Sequence, residues 1–247
     1  MNSPMTKAAR GFTLMETVIA IGVVAVLLTT FLAVFGPASQ SIRRSLSAQD
    51  ADRLQTALKR ELQILREGTD KNSTSSFEKA FDWIQNSGKP EKAILLYNYR
   101  GDPTDIRTDG SLEAYQSGDA NPGKSGIDFV LQPAVRRKGD SDPDLEKDLA
   151  AVEGQVYYVR MTQLVFEGGE LTEGEHGKIK DPHDPAGEEI TSADKYPEAV
   201  IAFNAVIYAL RSNNIEYINE LDLDDAANDG PDNLGKPLFS RNLGVRR

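Results

Sequence analysis

The pattern of apolar and polar residues changes abruptly near residue 36. From Val18 to Phe35 the residues are apolar apart from Thr29 and Thr30. Counted from Phe12, a helix over this run would be about 36 Å long at about 1.5 Å per residue, enough to cross the roughly 30 Å hydrocarbon core of a bilayer. The sequence therefore predicts a transmembrane helix over residues 12–36.

Beyond this run, apolar residues recur on one side of a helix. Their spacing is close to the helical period, and charged or polar residues lie between them. The apolar positions are Ile42, Leu46, Leu54, Leu58, Leu62 and Leu65. Gly68 is typical of a helix end. We therefore predict one long helix over residues 12–67, which could bend at Gly36-Pro37. Residues 37–67 would be its outer half, packed on a soluble domain at residues 68–247.

Two shorter helices are predicted within the soluble domain. The first covers Phe77–Asn86, where Ser75 can cap the first turn and Glu78 completes a capping box. The second begins at Asp142-Pro143, because proline is favoured in the first helical turn, and it ends by Gly154.

Four segments rich in Val, Ile, Tyr and Phe predict β-strands. They are Ala93–Arg100, Ile127–Leu131 continuing to Val135, Val156–Phe166, and Ala199–Leu210. The last two are apolar on both faces, which favours central positions in a sheet. The predicted fold is α+β, with the long helix packed on a mostly antiparallel sheet. We expect the long loops Gly101–Gly126 and Gly168–Pro197 to carry partner-specific surface.

Composition narrows the possible functions. The formal net charge is −10, and nucleic-acid binding needs clustered cations, so no nucleic-acid partner is expected. The chain has no cysteine, so an exported domain would rely on burial, or on burial and metal, rather than on disulfides. With no cysteine nucleophile, no G-x-S-x-G motif and two histidines, no enzymatic activity is expected.

The most specific motif stands at the start of the apolar run. Lys7 and Arg10 precede Gly11, and residues 12–16 read Phe-Thr-Leu-Met-Glu. This pattern resembles the N-terminus of type IV pilins and of the pseudopilins of type II secretion, over about residues 5–40.

The resemblance implies processing, partners and location. A prepilin peptidase would remove the leader 1–11 by cutting between Gly11 and Phe12, and the new Phe12 amine would be N-methylated. Glu16 would help the subunit enter a helical filament. The implied partners are other pilin or pseudopilin subunits, the inner-membrane assembly platform and, before assembly, the lipid bilayer. The subunit would be a single-pass inner-membrane protein with its C-terminal domain in the periplasm, and then part of a pilus or pseudopilus.

Physical chemistry favours a special role for Glu16. A carboxylate within a membrane segment costs on the order of 2–3 kcal/mol, so it should have a partner. After cleavage Phe12 would carry a free amine, and Phe12 and Glu16 are four residues apart on one helix face. Glu16 could meet its own amine or that of a neighbouring subunit. The alternative is an interfacial glutamate without a role in assembly.

Two groups of residues have side chains suited to metals. Calcium prefers six to eight oxygen ligands, and one short acidic stretch supplies many. Its candidates are Asp222, Asp224, Asp225, Asn228, Asp229 and Asp232. Some pseudopilins bind calcium near the C-terminus, although a solvated acidic turn would have the same composition. His176 and His183, with nearby acids, are candidates for a transition metal.

A phosphate-loop pattern also occurs. Residues 118–125 match G-x-x-x-x-G-K-[ST]. A phosphate loop follows a buried strand and opens a helix, whereas here a polar stretch precedes the motif and a strand pattern follows it. We interpret it as a chance match.

The sequence favours a structural function. The predicted protein is a minor or specialised subunit of a type IV pilus, or alternatively a minor pseudopilin of a type II secretion system. A different class also fits part of the pattern. An ordinary exported or membrane-anchored ligand-binding protein could be cleaved near Ala38, but Glu16 would then have no purpose.

Overall fold

A computed structural model describes residues 13–66, 73–118, 123–221, 223 and 234–247. The chain divides into two units, Met1–Leu46 and Ser47–Arg247. The predicted leader 1–11 and Phe12 lie outside the described residues.

Helix α1, Leu14–Glu61, begins in the first unit and ends in the second. Residues 36 and 37 belong to it. It ends before residue 67, where the sequence had predicted its end. After Glu61 the backbone closes in a tighter turn, because the amide of Gln63 donates to the carbonyl oxygen of Arg60 at 3.1 Å and that of Ile64 to Glu61 at 3.4 Å. Such bonds to the third preceding residue are typical of a last helical turn.

The described part of the second unit contains seven strands. They are β1 (Ile94–Ile106), β2 (Leu112–Ala114), β3 (Val130–Arg137), β4 (Val152–Glu167), β5 (Glu170–Glu173), β6 (Val200–Ala209) and β7 (Phe239–Arg246). β1 lies between β3 and β4, and β6 lies between β4 and β7. β2 pairs with β1, and β5 pairs with β4. All of these pairs are antiparallel, so the predicted α+β class and mostly antiparallel sheet are confirmed.

Helices cover both faces of this sheet. On one face, residues 51–62 of α1 and the helix α2 (Ser76–Asn86) pack on alternate strand residues such as Leu96 and Val159. On the other face, α3 (Asp142–Ala150) and α4 (Ile215–Asn219) pack on residues such as Leu95 and Tyr158. Because both faces are covered, β4 and β6 are apolar on both sides, and their predicted central positions are confirmed.

The shorter helices match their predicted positions with two differences. Ser75 caps α2 by accepting from the Glu78 amide, as predicted. The Glu78 carboxylate accepts from the amide of Thr74 at 2.7 Å, so the reciprocal bond closes one residue earlier. Helix α3 ends at Ala150, whereas Gly154 lies within β4 at a φ of +89°, where the register with β1 shifts. A bulge of this kind favours glycine, which is why Gly154 resembled a helix end.

Three strands were not predicted, and one predicted strand starts later. β2 and β5 are short, and β5 and β7 carry mostly exposed or half-exposed residues, so they lack a clear apolar alternation. β3 starts at Val130 rather than Ile127, because residues 126–128 form a turn in which Gly126 has a φ of +80°. β1, by contrast, extends past Arg100 into the predicted loop to pair with β2.

Candidate assembly surface and buried charge clusters

The first part of α1 presents apolar side chains to its surroundings on every side. An 18-residue stretch within Leu14–Phe35 has a mean hydropathy of 2.8, and none of that stretch is buried. Neighbouring residues such as Val26, Leu27 and Leu28 are all more than half exposed. Since consecutive residues point about a quarter-turn apart, no face of the helix is polar. By length and composition this segment can cross a membrane, and its apolar surface needs lipid or other helices to cover it.

The polar side chains inside the apolar segment are satisfied by the helix itself. Thr29 donates its hydroxyl to the carbonyl oxygen of Ala25 at 2.8 Å, and Thr30 donates to that of Val26 at 2.8 Å. Thr17 makes the same kind of bond to Thr13 at 3.3 Å. Such bonds to the preceding turn remove the need for an outside partner, so these threonines do not interrupt the apolar surface.

Glu16 lies in a capping box at the start of α1. Its carboxylate accepts from the backbone amide and from the hydroxyl of Thr13, both at 3.0 Å. In return, the amide of Glu16 donates to the Thr13 hydroxyl oxygen at 3.2 Å. This exchange satisfies backbone donors that a helix start leaves free, and a carboxylate there is favoured by the helix dipole.

Thr13 is the residue of this site that the sequence did not lead us to predict. The signal was the Thr-x-x-Glu spacing of Thr13 and Glu16, which is the same pattern that was identified at Ser75 and Glu78. Gly11 and Phe12 lie outside the described residues, so cleavage there, methylation of Phe12 and an assembly role for Glu16 stay predictions.

In the second unit, α1 changes from an exposed helix to a core helix. Its residues Ala51, Leu54 and Leu58, and Leu62 just after it, are almost completely buried against α2 and the sheet. The predicted apolar stripe is therefore confirmed over this stretch, whereas Ile42, Leu46 and Leu65 are exposed.

A buried charge cluster joins β1, β3, α3 and the loop before β2. We call it the Asp148 cluster, and its members are Tyr97, Arg107, Asp109, Glu113, Arg136 and Asp148. Asp148 is fully buried and accepts from Arg136 at 2.6 Å, from Arg107 at 2.8 Å and from Tyr97 at 2.9 Å. Burial and these three donors leave its carboxylate no access to a substrate, so Asp148 is poorly placed to act as a general base.

The titration behaviour of the cluster fits a fixed structural network. Burial raises the pKa of Tyr97 well above its usual value, and the charge of Asp148 adds to this effect. The same two causes raise the pKa of Tyr99 to about 12. A hydrogen bond from Arg107 lowers the pKa of Glu113 to about 2. At neutral pH the tyrosines therefore keep their protons and Glu113 stays ionised.

A second buried cluster fixes the end of α1 to α2. Glu61 pairs with Lys79 at 2.8 Å and with Arg66 at 2.7 Å. Arg66 also donates to the carbonyl oxygen of Asp109 at 2.9 Å. Buried ions are tolerated when they are paired and hydrogen-bonded, and in a chain without cysteine the two clusters tie together segments that are distant in sequence.

The candidate metal residues fall in two different situations. The six calcium candidates, from Asp222 to Asp232, lie outside the described residues, so calcium binding stays a prediction. The two histidines contact different residues. The Nδ1 atom of His176 lies 3.2 Å from the hydroxyl oxygen of Thr162, and His183 stacks on Phe166. In the part of the chain that the structure describes, no three His, Asp or Glu side chains converge as a metal site would require.

The phosphate-loop pattern lacks the structural context of a nucleotide site where it is described. Residues 119–122 lie outside the described residues. The amide of Lys124 donates to the carboxylate of Asp128 at 2.8 Å, and a turn leads directly into β3. A phosphate loop needs a helix at this point so that backbone amides face the phosphates, and residues 123–130 form none.

Comparisons with protein-family profiles, with functionally characterised proteins and with experimentally determined structures found no match to this chain.

Proposed function

We propose that this chain is a pilin-like structural subunit that is cleaved after Gly11 and assembled through α1 into a type IV pilus. The subunit would be a minor or specialised one, because the unit Ser47–Arg247 carries long loops that suit individual contacts better than uniform packing. Its partners would be other pilin subunits, the prepilin peptidase and an inner-membrane assembly platform.

The observation that carries this proposal is the apolar helix with one carboxylate at its start. Leu14–Phe35 exposes apolar side chains on every side, and a helix of this kind is stable in lipid or among other apolar helices. Cleavage after Gly11 would leave this segment on the mature protein, where it could pass from lipid into a bundle of like helices without uncovering new polar groups.

The capping box supports a specific role for Glu16 in that transfer. Its carboxylate is bonded to Thr13, the residue that follows Phe12. Cleavage would create a positively charged amine on Phe12, one residue away from the atoms that Glu16 already contacts. The box would hold the carboxylate at the helix end, where the amine of its own chain or of a neighbour can pair with it.

A minor pseudopilin of a type II secretion system is the second candidate, and the same helix supports it. An exported ligand-binding protein cleaved near Ala38 is the candidate of another class. Ala38 lies within α1 in a helical stretch, and the capping box of Glu16 would then belong to a discarded segment.

The first experiment is the intact mass and N-terminal sequence of the protein from a membrane fraction. We expect a chain that begins with methylated Phe12. A chain that begins near Ser39 would reject the pilin proposal and favour the exported binding protein. Deletion of the host's prepilin peptidase is the control, and it should leave residues 1–11 in place.

Three substitutions separate an assembly role of Glu16 from its capping role. Glu16→Gln keeps a side chain that can accept in a capping box but removes the charge. Thr13→Ala removes the hydroxyl half of the box and keeps the charge, and Glu16→Ala removes the charge together with the carboxylate half of the box. If the charge guides assembly, both Glu16 variants should enter the membrane normally and be incorporated into filaments many-fold less, while Thr13→Ala is affected least. Normal incorporation of the Glu16→Gln variant into filaments would show that Glu16 acts only as a helix cap.

A further inference from the structure

A groove with a positive rim runs between α1 and the edge strand β3. We call it the basic groove, and the residues that define it are Arg53, Thr56, Ala57, Arg60, Gln132 and Pro133. The cavity has a volume of about 490 Å³, enough for several side chains of a bound segment. Its lining is mixed: Ile64 and Val135 contribute apolar surface, Glu61 and Arg66 also line it, and Arg53 and Arg60 lie along its helical side.

The charge of the basic groove is not neutralised within the described residues. Arg53 and Arg60 are exposed, and among those residues neither forms an ion pair. Two of the nearby acids are already engaged, since Glu61 pairs with Lys79 and Arg66, and Asp52 pairs with Arg241 at 3.0 Å. Asp50 lies one turn before Arg53 and forms no ion pair with it among the described residues. In a chain with a net charge of −10, this local excess of positive charge indicates a surface that attracts carboxylates.

The chain itself supplies a segment of the opposite charge. Residues 220–232, which we call the acidic segment, contain six carboxylates and no lysine or arginine. Most of the segment lies outside the described residues. Leu221 and Leu223 within it, and Leu234 just beyond it, are buried in the apolar cluster on the sheet face that α3 and α4 cover. The basic groove lies on the other face, beside α1.

We propose that the basic groove of one copy binds the acidic segment of a second copy of this chain. The basic groove and the buried leucines that anchor the acidic segment, Leu221, Leu223 and Leu234, lie on opposite faces of one sheet, so the contact would be between unlike surfaces. Contacts between unlike surfaces repeat from copy to copy and build rings or open filaments, whereas contacts between like surfaces stop at a dimer. The proposal concerns the unit Ser47–Arg247 and does not depend on cleavage after Gly11.

A contact of this kind is weak alone and sensitive to salt. Exposed ion pairs each contribute about 0.2–1 kcal/mol, and salt screens them. It therefore acts mainly on the register and orientation of neighbouring copies. A covalent trap is the appropriate assay, and the chain suits one because it contains no cysteine.

The test places one cysteine on each proposed surface of the full-length chain. Copies with Thr56→Cys and copies with Asn228→Cys, carrying different tags, are produced together in the membrane and treated with an oxidant. We expect a disulfide-linked pair that carries both tags. The matched control replaces Asn228→Cys by Ser240→Cys, an exposed position on β7, and should give several-fold less of the mixed pair.

Charge reversal then tests the chemistry of the contact. Arg53→Glu combined with Arg60→Glu should lower the mixed cross-link about tenfold, and Asp224→Lys combined with Asp225→Lys in the other copy should restore it. Lys59→Glu is the matched control, because Lys59 is exposed on the same helix but does not line the groove. Unchanged melting temperatures would show that the reversed copies remain folded.

Several outcomes would overturn the proposal. They are equal cross-linking with the control cysteine, no effect of charge reversal, and cross-linking of Thr56→Cys only to its own kind or to a chain of another mass. The intact mass of the same samples reports separately whether residues 1–11 have been removed. Cross-linking of unprocessed chains would support the contact and count against the pilin proposal.

Discussion

The segment Leu14–Phe35 and the unit Ser47–Arg247 place apolar and charged side chains in opposite environments. In the segment, apolar side chains face outward and the carboxylate of Glu16 is satisfied locally by Thr13. In the unit, apolar side chains face inward, and charged side chains such as Asp148 are buried with partners that are distant in sequence. The segment therefore leaves its apolar surface uncovered, whereas the described apolar core of the unit is covered by the unit's own helices and strands. Variants of the two regions should accordingly differ in what they disturb.

Removing the centre of the Asp148 cluster should have the largest effect on the unit. Asp148→Ala removes the fully buried carboxylate that Arg107 and Arg136 share, and leaves Arg107 with Glu113 and Arg136 with Asp109. Breaking a buried pair in this way costs about 3–5 kcal/mol. We expect the free energy of unfolding, measured with denaturant in detergent, to fall by this order. Glu16→Ala is the matched removal of a carboxylate in the segment and should leave this unfolding transition unchanged. A similar loss of unfolding free energy in both variants would contradict the difference between the segment and the unit.

Truncating a leucine should reveal the difference between the two parts of α1. Leu58 is fully buried, so Leu58→Ala should lower the free energy of unfolding by about 2–5 kcal/mol. Leu27→Ala shortens an exposed side chain of the same helix and should leave that value unchanged while it alters helix–helix or helix–lipid contacts. Equal effects on denaturant unfolding would show that the two parts of the helix are not in different environments.

Calcium should act on the unit alone if the acidic segment binds it. At a concentration about a hundredfold above the dissociation constant, a bound ion adds about 2.7 kcal/mol to stability. We expect calcium to raise the melting temperature and a chelator to reverse the change, and Asp225→Asn combined with Asp229→Asn to abolish it. A melting temperature that does not change when calcium is added would show that the acidic segment does not bind calcium.

The smallest expected effect is a pH dependence that arises from Glu113. Its pKa is lowered to about 2, first by the hydrogen bond from Arg107. A carboxyl group with a lowered pKa contributes stability above its unfolded pKa of about 4.3 and loses it as pH falls towards about 2. Because Glu113 is partly exposed, solvent reduces this contribution to about 1 kcal/mol or less. Glu113→Gln should flatten the stability profile between these pH values, and an unchanged profile would exclude this contribution.

Much of the fold could be predicted from local patterns, and the site only in part. The apolar run, the cap at Ser75 and the central strands β4 and β6 follow from spacing and composition. The strands β2, β5 and β7 could not be predicted, because edge strands that are half exposed carry no apolar alternation. The Asp148 cluster could not be predicted either, because its members lie far apart in the sequence. Tyr97 and Asp148, for example, are separated by 51 positions.

The edges of the sheet have a consequence for the proposed assembly. β3 pairs with β1 alone and β7 with β6 alone among the described residues, so each leaves one side open to an additional strand. Pro133 in β3 has no amide hydrogen to offer a further strand, and Arg241 and Arg246 place charges along β7. Proline and charge on an edge discourage strand addition and amyloid-like growth. If the chain assembles as proposed, its copies can therefore meet through helices and loops without joining their sheets.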